Sequence, residues 1–268
     1  EKFCIISESR SEIHYLTKSE ASQLVSVIIP CRTTGPELEE CLDALERVDY
    51  PNYEVLVITD EPACNVRDSV QYLSSGPVGP ADKRDQGGRE SNGEIFAFID
   101  DDAYPDRMWL KRAVEVFADP QVTAVGGPGV TPDGDGFFAR ASGWISSSYL
   151  GGGFHRYRFV PREARWVDDY PSMNFLVRRF AFEEAGGFNT HFFPGEDTKL
   201  CLALVSNGGR IRYDPGVVVH HHRRDLFVPH LRQIAQYGLH RGHFARIYPR
   251  TSRRLSYMLP SLWFLWLF

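Results

Sequence analysis

Gly93-Glu94-Ile95-Phe96-Ala97-Phe98-Ile99-Asp100-Asp101-Asp102-Ala103-Tyr104-Pro105 joins an apolar run of strand length to three consecutive carboxylates. Ile95 to Ile99 reads as a buried strand, and Pro105-Asp106 as the start of a helix through Trp109, Leu110, Val114 and Phe117. Three like charges at one strand tip repel each other and resist desolvation, so they are tolerable only in water or around a cation. Carboxylate oxygens are hard ligands suited to Mg2+ or Mn2+, which one or two protein carboxylates hold while substrate phosphates complete the set. In an extended segment residues two apart share a side, so Asp100 and Asp102 face one way and Asp101 the other.

Outward from that tip, toward the N-terminus, Leu24 to Pro30 is a β-branched run closed by proline. Pro36 to Val48 places Leu38, Cys41, Leu42 and Leu45 on one helical face, and Tyr53 to Thr59 is a second strand ending at Asp60. Strand, helix, strand in order is the pattern of a right-handed crossover in a parallel sheet. Ligands of open parallel sheets bind outside the carboxyl ends of the strands, so Pro30, Asp60 and Asp100 to Asp102 are expected to converge. Between Pro62 and Gly93 the periodicity weakens: Gly76 to Pro80 reads as loop, and Lys83 to Arg89 as a polar run.

Toward the C-terminus, Val122 to Gly127 is a further strand, Phe137 to Tyr149 a helix, and Gly151 to Arg158 a flexible, aromatic and basic stretch. Ser172 to Arg178 is strand-like, and Phe180 to Ala185 a short helix stopped by Gly186-Gly187. Glu196-Asp197 opens a helix through Leu200 and Leu204; acids in a first turn also arise from helix-dipole complementation. Arg210 to Tyr213 and Val217 to Val219 read as strands, the second leading into His220-His221-His222-Arg223-Arg224, and Pro229 to Phe244 as a helix. No repeat or linker divides the chain. The reading is a lead-in over 1–23, one α/β domain over 24–225 with a nucleotide-side half (24–130) and an acceptor-side half (131–225), and a C-terminal helical segment over 226–268.

The bulk numbers bound the function. Of 268 residues 43% are apolar and 24% charged, ordinary for a globular protein, and a net charge of -5 argues against a nucleic-acid partner. Cys4, Cys31, Cys41, Cys64 and Cys201 form no Cys-x-x-Cys pair, which suits thiols in a reducing, cytosolic compartment. Glu1 to Glu20 is polar and carries no signal-peptide pattern. Tyr257 to Phe268 is uncharged, rich in Trp and Phe, and follows Arg250, Arg253 and Arg254. It is shorter than the about 20 residues of a bilayer span. It therefore reads as an interfacial anchor, the start of a membrane helix, or a helix packed on the domain.

Taken in order, Val25 to Pro30, Tyr53 to Asp60, Arg84, Phe98 to Pro105, Gly186-Gly187-Phe188, Gly195-Glu196-Asp197 and Val217 to Arg223 resemble the family 2 glycosyltransferases, inverting enzymes of the GT-A fold. The resemblance implies a Rossmann-like, mostly parallel central sheet flanked by helices, with C-terminal helices. It implies a metal, Mn2+ or Mg2+, on Asp102 with Asp100 beside it. His221 is the further ligand, with His222 its nearest rival. Asp197 resembles the family's base, since inversion at the anomeric carbon needs a proton acceptor on the far face; Glu196 supports it or touches the acceptor. Pro30, Arg32, Asp60, Arg84, Asp100 and Asp101 fall on the donor side, Asp60 at the nucleobase edge and Arg84 at the diphosphate. Asn174, Arg178 and Glu196 fall on the acceptor side.

Two stretches depart from the family pattern: Thr59-Asp60-Glu61-Pro62 from Asp-Asp-Gly-Ser, and Lys83-Arg84-Asp85-Gln86-Gly87 from Ala-Arg-Asn-Ala-Gly, which leaves a solvated helix start as the other reading of Arg84. Gln233 to Tyr237 has the spacing of the Gln-x-x-Arg-Trp motif of processive synthases without its Arg and Trp, which favours transfer of one sugar over polymerisation. The implied partners are a nucleotide-sugar donor, a glycan or polyprenyl-linked acceptor, and the cytoplasmic face of a membrane reached through the C-terminal segment. Arg156, Arg158, His240 and Arg241 either receive a phosphorylated acceptor or are scattered surface charge. A sugar nucleotidyltransferase is the alternative on this fold, but Cys31-Arg32-Thr33-Thr34-Gly35 is not its Gly-rich loop. A non-catalytic nucleotide-sugar-binding module would not need Asp100, Asp102, Asp197 and His221 together.

Overall fold

The structure is a computed structural model that describes residues 23–64, 66–190, 193–255 and 257–258. Residues 1–22 of the lead-in and residues 259–268 of the apolar stretch Tyr257 to Phe268 lie outside the described residues. Four strands, β1 (Val25–Pro30), β2 (Tyr53–Thr59), β3 (Val70–Ser74) and β4 (Ile95–Ile99), run parallel in the order β3-β2-β1-β4. Their side chains alternate between two cores. Val27, Ile29, Val57 and Ala97 join Leu38 and Leu42 of helix α1 (Pro36–Leu45) and Trp109 and Leu110 of α3 (Trp109–Phe117). Ile28, Leu56, Phe96 and Phe98 face the other way, toward α2 (Pro80–Glu90), α5 (Arg179–Glu184) and α6 (Glu196–Ser206). Helices on both faces bury every residue of β1 and β4, which is why those runs are almost continuously apolar.

The sheet continues beyond β4 with a change of direction. β9 (Asn174–Arg178) is antiparallel to β4 and to β6 (Ala124–Gly126); β10 (Ile211–Tyr213) then runs parallel to β6, and β8 (Arg165–Val167) closes the eight-stranded edge antiparallel. A second, three-stranded sheet has the order β5 (Ala103–Pro105), β11 (Val219–His221), β7 (Gly129–Val130). After β7 the chain adds α4 (Phe137–Ser147), a 3-10 helix (Gly153–Arg158) and the long α7 (Val228–Ile247). This is the α/β architecture expected.

Three local expectations change. The weak stretch between Pro62 and Gly93 holds β3 and α2. α2 escapes a periodicity reading because its buried face is made of Ala81, Lys83, Arg84, Gly87 and Gly88 rather than large apolar residues. The glycines let the helix approach the sheet: a Cβ on Gly87 would lie 2.5 Å from Ile28 Cγ2. Pro105 ends a strand instead of starting a helix, and the helix begins at Trp109. The Gly151 to Arg158 stretch contains a 3-10 helix.

Candidate functional site

At the carboxyl end of β4 the chain turns, with the Ala103 N–H donating to Asp100 O at 3.1 Å. β5 follows at once and pairs antiparallel with β11 so that His221 stands opposite Ala103. That register carries His221 to the acidic tip: its Nε2 lies 3.1 Å from Asp102 Oδ1. One ligand atom each from Asp100, Asp102 and His221 lies within 4.8 Å of the others. His222 faces elsewhere. Its Nδ1 is 2.6 Å from Asp135 Oδ1 and its Nε2 2.9 Å from Glu40 Oε2, so both nitrogens are taken and the ring ties the 131–136 loop to α1. Burial works against its charged form, but Glu40 and Asp135 outweigh burial and raise its pKa. His220 stacks on Tyr104 with centroids 4.9 Å apart. Of the three histidines, His221 therefore joins the acidic tip.

Two carboxylates and an imidazole form a donor set that fits Mn2+ or Mg2+. Arg223 Nη1 donates to His221 Nδ1 at 2.9 Å, and a guanidinium can only donate, so the neutral ring keeps its proton on Nε2, facing Asp102. A cation held at Nε2 would need that nitrogen's lone pair, so the ring proton would have to sit on Nδ1 and Arg223 Nη1 would have to give up its hydrogen bond. Burial would raise the Asp102 pKa, yet His221 beside it holds the carboxyl below its ordinary range. Asp101 has no such partner: burial, then Asp102 and Asp100, push it up to about 7.

Behind the tip, α2 presents two buried cations. Lys83 pairs with Asp60 at the end of β2 and donates to Cys31 O at 2.5 Å. Arg84, only 3% exposed, spans the site: Nη2 donates to Asp100 Oδ1 at 2.6 Å and Nη1 to Glu196 Oε1 at 3.0 Å. Phe188 covers the guanidinium from 5.5 Å. The loop carrying Phe188 is itself anchored on α2, its Phe188 and Asn189 N–H groups donating to Asp85 at 2.8 Å each. Neither residue is a solvated helix start.

Glu196 and Asp197 begin α6 but differ in every contact. Glu196 is buried, held by Arg84 and by the Gly195 N–H at 2.9 Å. Asp197 receives the Thr198 N–H at 2.8 Å and has no ion pair among the described residues. Burial, then Glu196 and Asp169, push its pKa up to about 7. A Cβ on Gly195, at φ 128°, would meet Phe244 of α7 at 2.0 Å, so α7 clamps the start of α6.

Asp169 is the residue sequence reasoning missed. It is buried, receives Thr198 Oγ1 at 3.0 Å, and pairs with Arg158 at 3.4 Å and Arg241 at 3.7 Å. Its only sequence signal is the acidic pair Asp168-Asp169 shortly before β9. Arg158 and Arg241 are thereby committed to it.

Two expected acceptor residues are corrected. Asn174 is fully buried; Trp109 Nε1 donates to its Oδ1 at 2.9 Å, and its Nδ2 donates to Gly127 O at 2.7 Å and Val217 O at 2.8 Å. With its polar atoms spent on the scaffold it has nothing to offer an acceptor. Arg178 stands opposite Ile95, whereas Asn174 stands opposite Ile99, so Arg178 lies at the end of β4 remote from the acidic tip. There it donates to Phe117 O at 2.6 Å and Val122 O at 2.8 Å. The antiparallel sense of β9 is what sends it away. Pro30 and Asp60 lie at the same strand ends as Asp100, and Arg32 beside them is exposed.

The profile described as glycosyl transferase family 2 matches residues 26–186. A pre-mycofactocin glycosyltransferase of Mycobacterium tuberculosis is 31% identical over 215 residues, 75% of this chain and 43% of that protein, so the chain spans less than half of that relative. A dolichyl N-acetyl-alpha-D-glucosaminyl phosphate 3-beta-D-2,3-diacetamido-2,3-dideoxy-beta-D-glucuronosyltransferase of Methanococcus voltae is 23% identical over 241 residues, 83% of this chain and 74% of that one. Among solved structures, the mannosyltransferase PcManGT from Pyrobaculum calidifontis, in complex with GDP-Man and Mn2+, superposes with a TM-score of 0.62. It is 22% identical and the match covers 89% of this chain and 68% of that one, a likeness of fold.

Proposed function

The chain belongs to glycosyl transferase family 2, and from that premise we propose that it moves one sugar, with inversion, from a nucleoside-diphosphate donor to a hydroxyl of a glycan or polyprenyl-linked acceptor at the cytoplasmic face of a membrane. The observation that carries this reading is the chain Asp100–Arg84–Glu196, in which one buried guanidinium joins the ligand cluster to the residue beside Asp197. One guanidinium thus holds the proposed donor-side and acceptor-side carboxylates in fixed relation.

Asp100, Asp102 and His221 would hold Mn2+ or Mg2+, which when bound supplies positive charge for the departing diphosphate. Lys83 fixes the Asp60 carboxylate at the nucleobase edge. Pro30 and the backbone of Arg32, whose carbonyl accepts the Asp60 N–H at 3.1 Å, shape the donor floor, and the exposed Arg32 guanidinium is available to a donor phosphate. Arg84, 3% exposed and bonded through Nη1 to Glu196 and through Nη2 to Asp100, acts as a positioning residue that holds these two carboxylates. Asp197 takes the proton of the attacking hydroxyl. The new bond forms at the anomeric carbon as the bond to phosphate oxygen breaks, and that electron pair leaves with the diphosphate. A base with a pKa of about 7 suits proton transfer near neutrality. The name of the Methanococcus relative supports a lipid-phosphate-linked acceptor.

Thermal-shift titration with UDP-, GDP- and dTDP-sugars in Mn2+ identifies the donor, because a ligand bound only by the native state raises Tm with its affinity. With that donor, transfer abolished by EDTA and a product of inverted anomeric configuration by NMR are expected. Activity that ignores EDTA and survives Asp102→Asn overturns the metal assignment, and long polymer from one donor overturns single transfer.

A further inference from the structure

Two stretches, 137–162 and 226–258, carry none of the chain's 35 Asp and Glu but ten of its 30 Lys and Arg, all arginine. The structure brings them together. Ser142 Oγ of α4 lies 2.6 Å from His230 Nδ1 of α7, the Leu226 N–H donates to Phe138 O at 3.2 Å, and the Phe138 and Phe227 rings meet at 5.9 Å. The paired helices leave apolar surface uncovered: Phe137, Trp144, Phe227, Val228 and Leu231 are each more than half exposed. Of the 20 residues of α7 only His230 and Phe244 are buried. A helix packed on a soluble domain hides an apolar stripe; this one displays Leu231, Ile234 and Leu239.

Charge selects the occupant. Arg158, Arg241 and Arg254 are spent on Asp168 and Asp169. Arg140, Arg156, Arg162, Arg232 and Arg246 have no carboxylate partner among the described residues. A second copy would set arginine against arginine, whereas an anionic lipid surface complements both the arginines and the aromatic side chains. No described helix is long and apolar enough to cross a membrane, so the face would lie on it. Beside it opens a cavity of about 560 Å³ with Arg156, Arg162 and Arg165 in its wall and Tyr149, Leu150 and Phe154 at its apolar side. His155, also lining it, stacks on Tyr257 at 4.9 Å and has both ring nitrogens buried without a partner. Burial and the nearby Arg158 push its pKa down to about 4, leaving a neutral ring with an unanswered N–H.

We propose that α4, the 3-10 helix and α7 form a docking face for a bilayer bearing anionic phosphate headgroups, with the cavity at His155 seating one headgroup phosphate. This deepens the membrane-side part of the proposed function; because vesicle binding is read without donor or acceptor, its failure is separate from failure of the transfer reaction. The test sediments the full chain with vesicles of phosphatidylcholine alone and of phosphatidylcholine with phosphatidylglycerol. Binding about tenfold or more tighter to the anionic vesicles, weakened by salt, is expected. Trp144→Ser/Leu231→Ser, and independently Val228→Ser/Ile234→Ser, should each lose about tenfold or more with Tm unchanged, since all four side chains are exposed. Arg156→Gln/Arg162→Gln should lose several-fold of the preference for the anionic lipid. Equal binding to both vesicles, or loss only in Trp263→Ser/Trp266→Ser of the apolar end, overturns the docking face. So does a dimer that the face variants dissolve while vesicle binding is absent. An unchanged preference in the arginine variant overturns the headgroup seat.

Discussion

The two acidic corners of the site use the same residue type in opposite ways. Asp100, Asp101 and Asp102 sit half-buried at a strand end with one arginine and one histidine among them, and Asp101 is left to be pushed up by its neighbours. Asp169 and Glu196 are buried and each is answered by an arginine from another element, Arg158 and Arg84. In the first corner His221 holds the Asp102 carboxyl below its ordinary range, which keeps charge where the proposed cation would bind. The second neutralises its charge internally except at Asp197, whose proton affinity is thereby raised. Partners, more than the count of carboxylates, set the proposed roles of ligand and base apart, with Arg84 shared between the two corners.

The comparison can be broken at several points. The largest effect is expected from Asp197→Asn, which should lower the transfer rate by about 10²–10⁴ while Mn2+ affinity is unchanged; an equal loss of metal binding, measured by titration, would merge the two corners. Next comes Arg84→Met. It leaves Glu196 buried and unpaired, and denaturant unfolding should show a loss of about 3–5 kcal/mol. Most of that loss should return in Arg84→Met/Glu196→Gln, because the unpaired charge is gone. Asp102→Asn should weaken Mn2+ binding by roughly 10–100-fold with little change in stability, as expected of a corner that awaits a cation.

Smaller effects follow pH. Asp197 must be ionised to accept a proton, so the transfer rate should rise about tenfold per unit up to about pH 7 and then level. A profile already flat at pH 5 would remove Asp197 as the base. Asp101 reports on the other corner without metal. Its folded pKa of about 7 is raised above the ordinary carboxylate value, so its contribution is fully present at low pH and lost as pH rises through 7. Asp101→Asn should therefore gain Tm over the parent chain as pH rises from 4 to 8. No divergence would mean that burial and the neighbouring carboxylates do not raise the Asp101 pKa.

Much of the first half of the chain was legible. β1, β2 and β4 are mostly apolar because helices cover both sheet faces, and α1 shows its period because one face meets solvent. α2 was illegible for the converse reason: its buried face is glycine, lysine and arginine, residues that signal loop or surface until partners are known. Asn174 and Arg178 looked available because a polar side chain on a strand reveals neither which backbone carbonyls it will meet nor which end of the sheet it will occupy. Asp169 gave little sign, since its importance lies in Thr198 and Arg158, which come from other elements.

What the sequence by itself determined was the parallel core, the acidic tip after β4, the acidic start of α6 and the family. Those depend on residue type and local order, which the chain carries in one dimension. What only the tertiary structure decided was partnership: His221 and not His222 at the tip, Arg84 between Asp100 and Glu196, and Asp197 left unpaired. The antiparallel register of β5 with β11 and the close approach of α2 to the sheet set those partners, and both join residues far apart in the chain.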